Sequence, residues 1–292
     1  MVSTKSKFID FFLRIIRFKE IIKKMAIHPS RNRKQFVPNE FSNLFALKTQ
    51  LINAKMVATL EKKDFPPQIH IIYLHGGAYV FESSSLHWGL VKKLLIKIPC
   101  RISVIDYPLA PEKNFIDTLE MVRKSYEYII EHYPEDEIVF MGDSAGGGLA
   151  LSFTQMLMSE KKLALPHKLI LLSPWIDLTL ENPEIKILEK LDVQLSCSFL
   201  KYCAGKYSND EDLHNYLLSP IFGPIKELPS TAVFYGTHEL FVSDINNLKE
   251  RAQKEDVKIE FFKYKEMQHD WILLPIPEAE RAISEICDFI MN

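Results

Sequence analysis

The sequence predicts a mostly parallel, doubly wound α/β sheet, and three observations carry that prediction. From about residue 55 to the C-terminus, short apolar runs alternate with helical patterns, the grammar of strands joined by crossover helices. One run, IVFM at 138–141, passes directly into GDSAG and then into an apolar, helix-compatible segment. Length and composition agree: 292 residues that are 47% hydrophobic suffice for a sizeable core.

Taken in order, residues 8–25 (FIDFFLRIIRFKEIIKKM) read as one amphipathic helix. Asp10, Arg14, Arg17, Glu20 and Lys24 fall on one face, and Phe11, Ile15, Phe18, Ile22 and Met25 on another. Such a helix can pack on the protein's own core, close over a site as a lid, or lie on an anionic membrane; packing on the core is the first expectation. A turn-like stretch at 29–38 precedes a second expected helix over 40–54. Residues 55–60 and 68–74 read as strands, separated by Lys62-Lys63-Asp64 and Pro66-Pro67. Further strands are expected at 101–106, 137–141, 167–172, 231–235 and 258–262, with helices at 86–98, 116–132, 149–160, 244–255 and 277–291. The segment 183–216 interrupts the alternation and looks helical at 184–191 and 196–206. No repeat, low-complexity tract or linker divides the chain. A single domain over 1–292 is expected, with helical cap elements from 1–54 and 183–216 folded over the sheet.

A formal charge of −2 gives no reason to expect a nucleic-acid partner. The charge is uneven: residues 1–34 hold ten Lys and Arg against Asp10 and Glu20, so they carry about +8 and the remainder about −10. Four scattered cysteines without a C-x-x-C pair suit a reducing compartment. The charged N-terminal stretch resembles neither a signal peptide nor a membrane span, and the reading is a cytoplasmic protein.

Strand, G-x-S-x-G, helix is the context of a nucleophile elbow, with Ser144 raised at the carboxyl edge of the sheet and facing a helix N-terminus. His75-Gly76-Gly77-Ala78 follows the strand at 68–74, where glycines let two backbone N–H groups point into one space, as an oxyanion hole requires. Among nine histidines, His269 has the position of a base: it lies after the last strand and before the final helix. The chain order serine, acid, histidine puts the acid after the strand at 231–235. Two carboxylates compete there. Glu239 lies near the strand end, whereas Asp244 reads better as the opening of the following helix, capping free N–H groups. His238-Glu239 is no zinc motif, because H-E-x-x-H would need histidine where Val242 stands. No dinucleotide or phosphate-binding glycine pattern is present, so neither a metal nor a nucleotide cofactor is indicated.

The set HGGAY, DYPLAPE, GDSAGGGLA, SPWIDL, SPIFG, GTHELFVSD and MQHDW resembles the hormone-sensitive-lipase-like family of α/β-hydrolase carboxylesterases, from about residue 55 to the C-terminus. The resemblance implies an α/β-hydrolase fold with a helical cap, and Ser144 as nucleophile, Glu239 as acid and His269 as base. It also implies oxyanion donors at Gly76, Gly77 and Ala145. Departures from the family are Ala78 for the usual third glycine, glutamate for the commoner aspartate as acid, and Glu82 at a frequent glycine position. The implied activity is hydrolysis of short-chain, fairly apolar esters through an acyl-enzyme on Ser144. An amidase or formamidase, a membrane-surface lipase recruited by residues 8–25, and a non-catalytic binding protein are the alternatives. Tyr79, Trp88, Trp175 and Phe199 are candidates to line a pocket, though aromatics in such places are more often plain core.

Overall fold

The computed structural model describes residues 2–31, 35–64 and 67–292; Arg33 and Lys34 of the basic segment and Pro66 of the breaker lie outside the described residues. In chain order the elements are α1 (Thr4–Ile15), α2 (Phe18–Ile27), α3 (Asn39–Leu44), β1 (Ala46–Ile52), β2 (Lys55–Glu61), β3 (Ile69–Leu74), α4 (Ser85–Lys97), β4 (Cys100–Ile105) and α5 (Phe115–His132). They continue with β5 (Glu137–Asp143), α6 (Ala145–Glu160), β6 (Lys168–Leu172), α7 (Ile185–Leu191), α8 (Cys197–Ser208), β7 (Ser230–Gly236), α9 (Val242–Lys254), β8 (Ile259–Tyr264) and α10 (Pro277–Met291).

The eight strands form one sheet in the order β1-β2-β4-β3-β5-β6-β7-β8. Pairing from β4 through β3 to β8 is parallel, and β1 and β2 are added antiparallel at one edge. The central strands β3 to β7 are buried along nearly their whole length because helices cover both faces. Ile138 and Phe140 of β5 join the core beneath α5, α6 and α9, while Val139 and Met141 join the one beneath α4 and α10. All seven expected strands are present, as are the five helices expected between and after them.

Two expectations fail near the N-terminus. The helix expected over 40–54 stops at Leu44, and residues 46–52 form β1, so this part of the proposed cap belongs to the sheet. Ile52 and Lys55 pair across a two-residue turn in which Asn53 and Ala54 both have positive φ, the primed geometry that matches strand twist. Alanine is a poor marker of such a turn, and β1 is a mostly exposed edge strand with no buried stripe to reveal it. The single helix expected over 8–25 is two helices, broken where Arg17 adopts a left-handed conformation (φ 52°, ψ 52°). Among the described residues no helix is long and apolar enough to cross a membrane.

Above the carboxyl ends of the strands, α2 packs on α8, and α1 and α2 meet the α7–α8 segment through polar contacts. Arg14 Nη2 donates to the carbonyl of Leu191, Lys19 Nζ to that of Glu189, and Lys23 Nζ to Ser198 Oγ.

Candidate active site

β5 ends at Asp143 and α6 begins at Ala145, leaving Ser144 alone at the turn with φ 50° and ψ −120°. A non-glycine residue there costs on the order of 1–3 kcal/mol. The surrounding contacts hold it: the Ser144 N–H donates to the Leu172 carbonyl at 2.8 Å, and the Ser144 carbonyl accepts from Trp175 at 2.9 Å. The turn also needs Gly146, because a Cβ there would lie 2.0 Å from the Leu74 carbonyl oxygen.

His269 lies on the loop after β8, with its Nε2 2.9 Å from Ser144 Oγ. Its Nδ1 donates to Glu239 Oε2 at 3.0 Å. The other oxygen of Glu239 accepts from the Gly236 N–H at 2.6 Å, and the Ser173 side chain adds a further hydrogen bond. Burial pushes the Glu239 carboxyl up to about 6, against the pull of His269. Burial also opposes charge on His269, but the carboxylates of Asp270 and Glu239 outweigh it and raise the imidazole well above its ordinary range. The structure therefore brings Ser144, His269 and Glu239 together. Asp244 is elsewhere, in the first turn of α9, bonded to Asn182 Nδ2 at 3.3 Å. It does not cap that helix by its side chain, a correction to the expectation for this residue.

The glycine loop differs from expectation at one position. The Gly76 N–H, expected to face an oxyanion, instead donates to Asp143 Oδ2 at 3.0 Å and is occupied. Among the described residues none accepts from the N–H groups of Gly77, Ala78 or Ala145. Gly77 has φ +117° and Ala78 φ 52°, two successive residues in the left-handed region.

Behind this loop Asp143 is the hub. Its Oδ2 also accepts from His87 Nε2 at 3.2 Å, and its Oδ1 accepts from the Tyr73 hydroxyl. Burial works against both charges, yet each stabilises the other: His87 titrates above its ordinary range and Asp143 below. Sequence reasoning missed this pair, although Asp143 stands inside the GDSAG motif. It also missed Asp192, whose Oδ2 accepts from the Leu240 N–H beside Glu239, and Gln194, whose side chain donates to the His269 carbonyl.

Of the aromatic candidates, Trp88 lies on the opposite face of the sheet from α8, edge-on to Phe36 and Phe41. Tyr79 and Trp175 are buried in the same core as α8; Tyr79 stacks on Tyr207 of α8 at 3.7 Å between ring centres. Phe199 of α8 stacks against Phe81.

Residues 71–273 match the model of a family described as having the alpha/beta hydrolase fold. An esterase of Acinetobacter venetianus is 30% identical over 223 residues, which cover 75% of this chain and 73% of that protein. An acetyl-hydrolase of Streptomyces hygroscopicus is 29% identical over 73% of this chain and 72% of its own. The solved structure of a hormone-sensitive lipase from a metagenome library superposes with a TM-score of 0.79 at 26% identity, covering 95% of this chain and 97% of that one. The chain belongs to the hormone-sensitive-lipase-like family of α/β-hydrolase carboxylic ester hydrolases.

Proposed function

We propose that the protein hydrolyses short-chain, fairly apolar esters through an acyl-enzyme on Ser144. The observation that carries this reading is the continuous relay from Ser144 Oγ to His269 Nε2 at 2.9 Å and from His269 Nδ1 to Glu239 at 3.0 Å. His269 takes the hydroxyl proton as Ser144 attacks the ester carbonyl. Glu239 fixes the tautomer and stabilises the imidazolium as it forms. The negative charge developing on the carbonyl oxygen is taken by the N–H groups of Gly77, Ala78 and Ala145, the last at the positive end of α6. His269 then protonates the departing alkoxide. Water repeats the sequence on the acyl-enzyme and releases the acid.

The helices α1, α2, α7 and α8 form the cap in this reading, and their packing sets the acyl-chain limit. The four cysteines, all free and three of them buried, support a cytoplasmic setting.

The test is hydrolysis of p-nitrophenyl esters from acetate to palmitate by wild type and Ser144→Ala in parallel. Turnover confined to short chains and abolished in the variant is expected. Activity that survives Ser144→Ala would overturn the acyl-enzyme, and a long-chain optimum would overturn the substrate class.

A further inference from the structure

α1 is apolar on two opposite faces. Ile9, Leu13 and Ile16 turn toward the protein and are partly buried, with Ser6 fully so. Phe8, Phe11, Phe12 and Ile15, spaced as one helical stripe, are 66%, 61%, 50% and 62% exposed. Ile21, Met25 and Ile27 of α2 are exposed as well. Scattered exposed apolar residues are ordinary, but three phenylalanines and an isoleucine on one face of one helix are not. A helix docked only on its own protein keeps a polar outer side.

The charge around this stripe indicates what covers it. Between Thr4 and Ile27 there are seven Lys and Arg against Asp10 and Glu20, so the two helices carry +5 in a chain whose net charge is −2. Lys5, Lys7, Arg14, Arg17 and Lys24 are exposed. Two such surfaces brought face to face repel each other, which disfavours a second copy of the chain as the occupant. An anionic surface with an apolar interior satisfies both the stripe and its basic flanks.

The position of the stripe gives it meaning. Ser6 Oγ lies 3.9 Å from the sulfur of Met267, two residues before His269. A cleft of about 940 Å³ opens beside α1 and α2, bounded by Leu13, Ile16, Ile21, Lys190, Asp192 and Val193. Its inner residue Asp192 is the one that holds the Leu240 N–H next to Glu239.

We propose that α1 and α2 dock the enzyme on an anionic lipid bilayer, with Phe8, Phe11, Phe12 and Ile15 entering the headgroup layer and the flanking lysines and arginines meeting lipid phosphates. Docking in this orientation keeps the enzyme at the bilayer, where apolar esters concentrate. The docking itself does not depend on the esterase reading; only that last consequence does.

The full chain is sedimented with vesicles of phosphatidylcholine containing about 30% phosphatidylglycerol and with pure phosphatidylcholine vesicles. Binding to the anionic vesicles alone is expected, weakened about tenfold or more when salt rises from about 0.05 to about 0.5 M. Phe11→Ser/Phe12→Ser and Lys5→Glu/Lys7→Glu should each weaken it about tenfold, with turnover of soluble p-nitrophenyl acetate kept within about twofold as proof of folding. Wild type that stays in the supernatant, or binding indifferent to both variants, overturns the proposal. So does a lipid-free dimer in sedimentation velocity that Phe11→Ser/Phe12→Ser dissociates, because a second copy then covers the stripe. A wild type that binds vesicles but turns over no ester would sink the esterase reading and leave the docking intact.

Discussion

The carboxylate of Asp270 lies 3.2 Å from Nε2 of His269, the nitrogen that also stands 2.9 Å from Ser144 Oγ. Asp270 reaches that atom because its own backbone is left-handed, with φ 50°. A negative charge at this place favours the imidazolium, and the base of the relay must be neutral to accept the serine proton. Asp270→Asn removes the charge, so the pKa of His269 falls and its neutral form persists to lower pH. The ascending limb of kcat/KM against pH is expected to move toward acid by about one unit. A limb that does not move would show that Asp270 leaves the proton affinity of His269 unchanged.

Glu239 and Asp244 can be separated by removing each charge in turn. Glu239→Gln leaves the shape of the site and takes away the acceptor of the Nδ1 proton, so kcat should fall about 10³- to 10⁴-fold. Asp244→Asn lies outside the relay and should retain kcat within about twofold. Comparable losses in both variants, measured on p-nitrophenyl butyrate, would refute this assignment.

Asp244 instead governs stability. It is 1% exposed with Oδ2 unpartnered, and burial pushes its carboxyl up from 3.8 to about 7. Below about pH 4 the group is protonated in both folded and unfolded chains and contributes no pH dependence. Between about pH 4 and 7 the unfolded chain ionises while the folded one resists, so stability declines as pH rises, and then levels off. Asp244→Asn should therefore match wild type in chemical denaturation near pH 4 and exceed it by roughly 2–4 kcal/mol near pH 8. Equal stabilities at both pH values would exclude a buried charge at this position.

His87 acts on the site through Asp143. With His87→Gln the buried Asp143 loses its countercharge, and the anchor of the Gly76 N–H loosens with it. The loop bearing Gly77 and Ala78 then holds the oxyanion less firmly. A fall in kcat of about tenfold or more with KM nearly constant is expected, with the far-ultraviolet spectrum unchanged. A rise in KM at constant kcat would place His87 in substrate binding instead.

The strands with buried faces and the order of the motifs were legible in the residues alone. Apolar runs such as 138–141 identify β5 because both faces of that strand are covered, and a strand followed at once by GDSAG fixes where Ser144 stands. His269 and Glu239 were legible from chain order and proximity to strand ends. Three features were decided only by tertiary structure. β1 was hidden because its exposed edge carries no alternation and its turn contains alanine instead of glycine. The N–H of Gly76 was lost to Asp143, a residue 67 positions away that only the β3–β5 pairing brings near. The outward face of α1 was the third: 8–25 contains enough apolar residues for two stripes, and periodicity cannot say which one the protein covers. A local pattern records what a segment can bury, whereas the partner that buries it is chosen by contacts between residues far apart in the chain.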